Sequence, residues 1–114
     1  MEKQIIASDP LQESYTLYRH KSGLGILLYP MQGYSSAYAI FGTHYGSIDT
    51  MFKTQKEDSF VTIPEGVAHF LEHKLFESEE GDAFARFAKT SASANAYTSF
   101  EKTCYLFSTT ANFE

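Results

Sequence analysis

Cysteine is nearly absent: Cys104 is the one thiol in 114 residues, which excludes an intrachain disulfide and a cysteine-built zinc knuckle. Flanked by Thr103 and Tyr105 in an apolar run, it reads as a residue packed in a strand rather than a nucleophile. Clustered positive charge is also lacking. Nine Lys and Arg stand against fourteen Asp and Glu, for a net charge of −5. No basic run offers phosphate neutralisation, so neither nucleic acid nor an anionic membrane is expected as a partner. No apolar run is long enough to span a bilayer, and the opening residues Met1 to Ile6 lack the apolar core of a signal peptide. A cytoplasmic location is therefore the expectation.

What is present describes a folded chain. Hydrophobic residues make up 43% and aromatics 16% of the sequence, too much apolar surface for disorder. The length suffices for one small core and not for two. Residues 1–14, with Pro10 among mixed polar side chains, read as an N-terminal arm, and residues 15–114 as the domain.

The densest chemistry lies at His69, Glu72 and His73, in the order His-x-x-Glu-His. Positions i, i+3 and i+4 share one side of an α-helix, so two imidazoles and a carboxylate are presented together. Val67, Phe70, Leu71 and Leu75 fall on the other side, which is expected to bury against a sheet. Two histidines one helical turn apart suit Zn2+. The same spacing also fits a solvated polar face on which Glu72 supports His73 without any metal.

The rest of the chain supplies context. Residues 15–20 and 25–29 are aromatic and aliphatic runs separated by Lys21, Ser22 and Gly23, a hairpin closed by Pro30 with His20 exposed at its turn. A third strand over residues 36–41 is expected to continue through Tyr45, Gly46 and Ser47 with a bend near one glycine. His44, within it, reads as a strand histidine more than as a third ligand. Residues 50–59 form a surface loop. Thr62, Pro64 and Glu65 carry the signals of a helix start, and the helix should run to about Phe76. An acidic break over residues 77–81 follows, and Asp82 caps a second helix whose buried side holds Phe84, Phe87 and Ala88. Glu77 is not a workable third ligand: i, i+4 and i+8 on a straight helix span about 12 Å of axis. The small residues 91–96 form a loop or weak strand, open to the close approach of another backbone. Residues 97–98 and 103–108 form the arms of a hairpin around Ser99, Phe100, Glu101 and Lys102. The chain ends at Asn112, Phe113 and Glu114 without a closing cap, as in an interrupted segment.

Three blocks, taken together, resemble a known pattern. They are Tyr45-Gly46-Ser47, Gly66 through His73, and Ser93-Ala94-Asn95-Ala96-Tyr97-Thr98 followed by Glu101, Thr103 and Tyr105. In this order they resemble the N-terminal part of the insulinase/pitrilysin zinc peptidases, the inverzincin family that includes the processing peptidases. The resemblance covers roughly residues 15–114. Lys74-Leu75-Phe76 departs from the family's usual Met-Leu-Phe, away from the ligand side.

The resemblance implies that His69 and His73 are ligands of Zn2+ and that Glu72 is the general base of a metalloendopeptidase. Asn95 and Ala96, with Tyr97 beside them, match edge-strand positions that hold substrate, so peptides would bind as an added strand. The family's third ligand is a glutamate on a later helix, which would fall past Glu114. A second homologous half, in the same chain or in another subunit, completes the family's site. Catalytic zinc takes three protein ligands and water, so the 114-residue chain alone is expected to bind zinc weakly and to be inactive. The alternative is a non-catalytic scaffold or partner subunit of a peptidase pair. A third reading is a complete domain that binds proteins through its sheet edge. The expected fold is α+β: a mainly antiparallel sheet of about five strands with two helices packed on one face, an incomplete part of an insulinase-type domain. Apolar surface left uncovered is expected to drive self-association.

Overall fold

The computed structural model describes residues 1–78 and 81–111. Glu79 and Glu80 of the acidic break, and the terminal Asn112, Phe113 and Glu114, lie outside the described residues. The backbone forms two compact units, Met1–Tyr34 and Ser35–Glu114.

The first unit is an antiparallel sheet of β1 (Glu2–Ser8), β2 (Glu13–Arg19) and β3 (Gly25–Leu28), with β2 in the centre. The aromatic and β-branched Tyr15, Thr16 and Tyr18 give β2 its strand preference. β1 corrects the reading of residues 1–14 as an arm: it pairs with β2 along its whole length, from Glu2 opposite Arg19 to Ser8 opposite Glu13. Pairing, rather than its own weak alternation, makes this segment a strand. The β2–β3 hairpin forms as expected, with the Gly23 N–H donating to the His20 carbonyl at 3.0 Å and His20 exposed.

The second unit is built on β4 (Ala37–Thr43), β9 (Ala92–Thr98) and β10 (Thr103–Thr109), ordered β4-β10-β9 and antiparallel. Between them in sequence come β5 (Met51–Phe52) paired with β6 (Val61–Thr62), helix α1 (Val67–Phe76), the short pair β7 (Glu77–Ser78) and β8 (Gly81–Asp82), and helix α2 (Ala83–Ala88). Among the described residues, the single sheet of about five strands is thus replaced by two three-stranded sheets and two short pairs. β4 ends at Thr43, short of the expected extension, because Tyr45, Gly46 and Ser47 turn to dock on the β9–β10 hairpin.

Thr62 lies in β6 and does not cap α1. The cap is Gly66, at φ 85° in the left-handed region that glycine adopts without strain. The Phe70 N–H closes the first turn on the Gly66 carbonyl at 3.0 Å. Asp82 does cap α2, its carboxylate accepting from the Phe84 N–H at 2.9 Å. Cys104 is buried in the central strand, as its apolar neighbours indicated.

The face that α1 turns inward is the main departure from the sequence reading. Ala68 is 3% exposed and Glu72 9%, whereas Phe70 is 59% and Leu75 67% exposed. The apolar side expected to bury is the outer side, and a carboxylate lies inside. β9 explains the choice. Opposite residues of an antiparallel pair share a face, so Ala94, Ala96 and Thr98 stand with Phe107, Tyr105 and Thr103. Their small side chains admit Ala68 and Glu72 at close range. Further along, the Phe76 ring lies 6.0 Å from Tyr105 and stacks at 4.4 Å on Phe84 of α2, while Phe87 lies 5.8 Å from Phe107.

Candidate metal centre

α1 brings His69 and His73 together through its own pitch. Their Nε2 atoms stand 3.1 Å apart, with ring centroids at 4.8 Å and planes tilted by 46°. Both rings are exposed on the helix flank, while Glu72, between them in sequence, points inward. One ligand atom from each of the three lies within 4.8 Å of the others, and theirs is the one such group of three among the described residues.

This donor set fits a zinc ion. Two imidazole nitrogens bound at about 2.05 Å and separated by the tetrahedral angle would lie about 3.3 Å apart. The observed separation is within a few tenths of an ångström of that value. In this structure the two nitrogens face each other at hydrogen-bond distance, a place where a divalent cation could take both as ligands.

Glu72 is held from the sheet. The Thr98 hydroxyl, at the end of β9, donates to Glu72 Oε2 at 2.5 Å. The place of Thr98 is fixed in turn by the hairpin and by the Tyr45-Gly46-Ser47 block. Thr103, opposite Thr98, donates its hydroxyl to the Tyr45 carbonyl at 2.7 Å. The Ser47 N–H donates to the Ser99 carbonyl at 3.0 Å, and the Ile48 N–H to the Phe100 carbonyl at 3.2 Å. Asp49 closes the turn by accepting from the Gly46 N–H at 2.7 Å. Tyr105 also packs near the carboxylate: burial first, then the Glu72 charge, pushes its phenol above the usual tyrosine range.

The strand residues are placed less uniformly. Asn95, Ala96 and Tyr97 follow one another on β9, the outer strand of its sheet. Ala96 shares the face of Thr98. Asn95 and Tyr97 belong to the other face, opposite Leu106 and Cys104. A hydrogen bond to Cys104 is the main cause that raises the Tyr97 phenol. Asn95 Oδ1 accepts from the Ala96 N–H at 2.9 Å. That bond and the inward Ser99 N–H to Lys102 carbonyl bond at 2.8 Å set the alternation, so Ala96 directs its backbone groups to the outer edge.

His44 lies exposed in the bend after β4 and is not in the cluster. Glu77 is engaged elsewhere, with the Lys74 ammonium at 2.6 Å holding its carboxyl below the usual range. Gly46 and Thr98 stand within the blocks that carry the resemblance, but the sequence reading gave neither a role at the site. The available signals were a β-branched hydroxyl at a strand end and a glycine beside a turn.

Residues 63–112 match the family model of insulinase, peptidase family M16. A Bacillus subtilis (strain 168) protein named uncharacterized zinc protease YmfH is 50% identical over 111 residues, covering 96% of this chain and 26% of that protein. A nardilysin-like protein of Arabidopsis thaliana is 42% identical over 62 residues, 48% of this chain and 6% of that protein. Among solved structures, an M16-like peptidase from Alicyclobacillus acidocaldarius superposes with a TM-score of 0.76 at 45% identity, covering 86% of this chain and 23% of that one. The chain therefore spans about a quarter of the length of the Bacillus and Alicyclobacillus proteins.

Proposed function

Since the chain belongs to the insulinase family of peptidases, we propose that it carries the histidine pair and general base of a zinc-dependent endopeptidase. The observation that carries this reading is the Nε2 pair at 3.1 Å beside a buried, hydrogen-bonded carboxylate. His69 and His73 would hold the ion. When bound, Zn2+ supplies Lewis-acid polarisation of the scissile carbonyl and lowers the pKa of water. Glu72 takes the proton of the attacking water and passes it to the departing amine, using Oε1 while Oε2 stays with Thr98.

The peptide lies along the outer edge of β9 as an added strand. A main-chain bond to the Ala96 carbonyl gives affinity with little demand on sequence, the Asn95 side chain, which holds the Ala96 N–H, gives way or takes part at the same edge, and Tyr97 extends the strand. Both helices pack on one face of the second sheet, a reading supported by Phe76 on Tyr105 and Phe87 on Phe107, alternate residues of β10. The other side of that arrangement, with Phe70, Leu71 and Leu75 uncovered, suits a complementary portion of the domain or a homologous half. The third ligand comes from that portion. The 114-residue chain alone holds zinc weakly and does not hydrolyse peptides.

Zinc titration tests the ligand assignment. The chain supplied with the complementary portion, in cis or in trans, should bind one equivalent, and His69→Ala or His73→Ala should each abolish binding. Unchanged affinity in either variant would place zinc elsewhere and overturn the reading.

A further inference from the structure

We propose that Thr98 is the positioning residue for the Glu72 carboxylate: its hydroxyl holds one carboxylate oxygen and so keeps the base aimed at the histidine pair. The proposal rests on the peptidase reading above. Glutamate has three side-chain torsions, and a base borne on a helix has several rotamers that miss the reacting centre. The Thr98 hydroxyl donates to Glu72 Oε2, and this fixed partner on one oxygen selects among those rotamers. The same carboxylate stays within 4.8 Å of both imidazole nitrogens.

The donor is itself rigid. Threonine is β-branched and has few accessible rotamers on a strand. Its backbone is pinned by β10 on one side, by the hairpin turn after it, and by the segment from Tyr45 to Ser47 that grips the turn. At Gly46 any Cβ would stand 2.3 Å from the Phe100 carbonyl oxygen, so this grip depends on glycine. The Tyr45-Gly46-Ser47 block, which offers no chemistry of its own, thereby acts on the base through Thr98. A competing role is purely structural: Thr98 would merely satisfy a buried carboxylate.

Two measurements test the proposal, the first the bond itself and the second its catalytic role, using Thr98→Val, which keeps the shape and removes the donor, and Thr98→Ser, which keeps the donor. The first is a double-mutant cycle in urea on the chain, with Thr98→Val, Glu72→Met and both together. Thr98→Val should lower the folding constant about tenfold or more, and the loss should disappear in the Glu72→Met background. Independent effects would overturn the proposal, whatever the protein's activity.

The second measurement is hydrolysis of a quenched fluorescent peptide, together with zinc titration, on the chain supplied with its complementary portion. Thr98→Val should lower kcat about 10- to 100-fold with KM and zinc affinity unchanged, and Thr98→Ser should restore kcat. Unchanged kcat in Thr98→Val would leave a structural role only and refute positioning. Failure of the unsubstituted protein to bind zinc or cleave the peptide would instead refute the peptidase reading, and with it the catalytic part of this proposal.

Discussion

Replacing Gly46 by alanine is expected to damage the site from outside it. The added Cβ would meet the Phe100 carbonyl oxygen at 2.3 Å, its carbon at 2.5 Å and the Glu101 nitrogen at 2.6 Å. All three are backbone atoms, so no side chain can swing aside, and the turn must retreat by about 1 Å to reach ordinary contact. Overpacking of this kind costs about 1–3 kcal/mol. Retreat also strains the bonds from Ser47 to Ser99, from Ile48 to Phe100 and from Thr103 to Tyr45, each worth about 1 kcal/mol. The total destabilisation should be about 2–4 kcal/mol, which is large for a unit with little buried apolar surface. Gly42→Ala is the control, because its Cβ would meet only the Cys104 sulfur at an ordinary 3.5 Å. Urea unfolding followed by circular dichroism should show a much lower midpoint for Gly46→Ala than for Gly42→Ala. Equal midpoints for the two variants would refute the close-approach argument.

Two further expectations concern the surface and the response to pH. Charging the outer side of α1 with Phe70→Glu and Leu75→Glu should reduce self-association of the chain in sedimentation velocity, since both residues are exposed and apolar; an unchanged distribution would remove that side from the interface. The Tyr105 phenol is raised by burial and by Glu72. Its folded form therefore favours the proton, and the associated stability is complete below about pH 10 and lost as pH rises through the higher folded value. Tyr105→Phe should extend stability at alkaline pH, and an unchanged alkaline transition would contradict the assignment.

How far the sequence could be read follows from where each element gets its stability. α1 was legible because periodicity and the His-x-x-Glu-His spacing belong to a single helix. The β9–β10 hairpin and the Asp82 cap were legible because turn and cap chemistry is local. β1 was not, since Glu2–Ser8 becomes a strand only by pairing with β2. The inward face of α1 could not be read either. Hydrophobicity ranks Phe70 and Leu75 above Ala68 and Glu72, but the alanines of β9 select the small face, and Thr98 makes a buried glutamate acceptable. The run of small residues over 91–96 was read for the approach of another backbone. Half of it, Ala92, Ala94 and Ala96, lies on the face that receives α1. Gly46 and Thr98 belong to legible blocks, but their roles rest on contacts far apart in the chain, with Phe100 and with Glu72.

The most direct test of the zinc peptidase account is to measure zinc per chain and peptide hydrolysis together, with and without the complementary portion of the domain, in the natural sequence and in Glu72→Gln. About one zinc per chain is expected only in the completed domain, with hydrolysis lost in Glu72→Gln while zinc stays bound. No zinc in the completed domain, or undiminished hydrolysis in Glu72→Gln, would contradict that account.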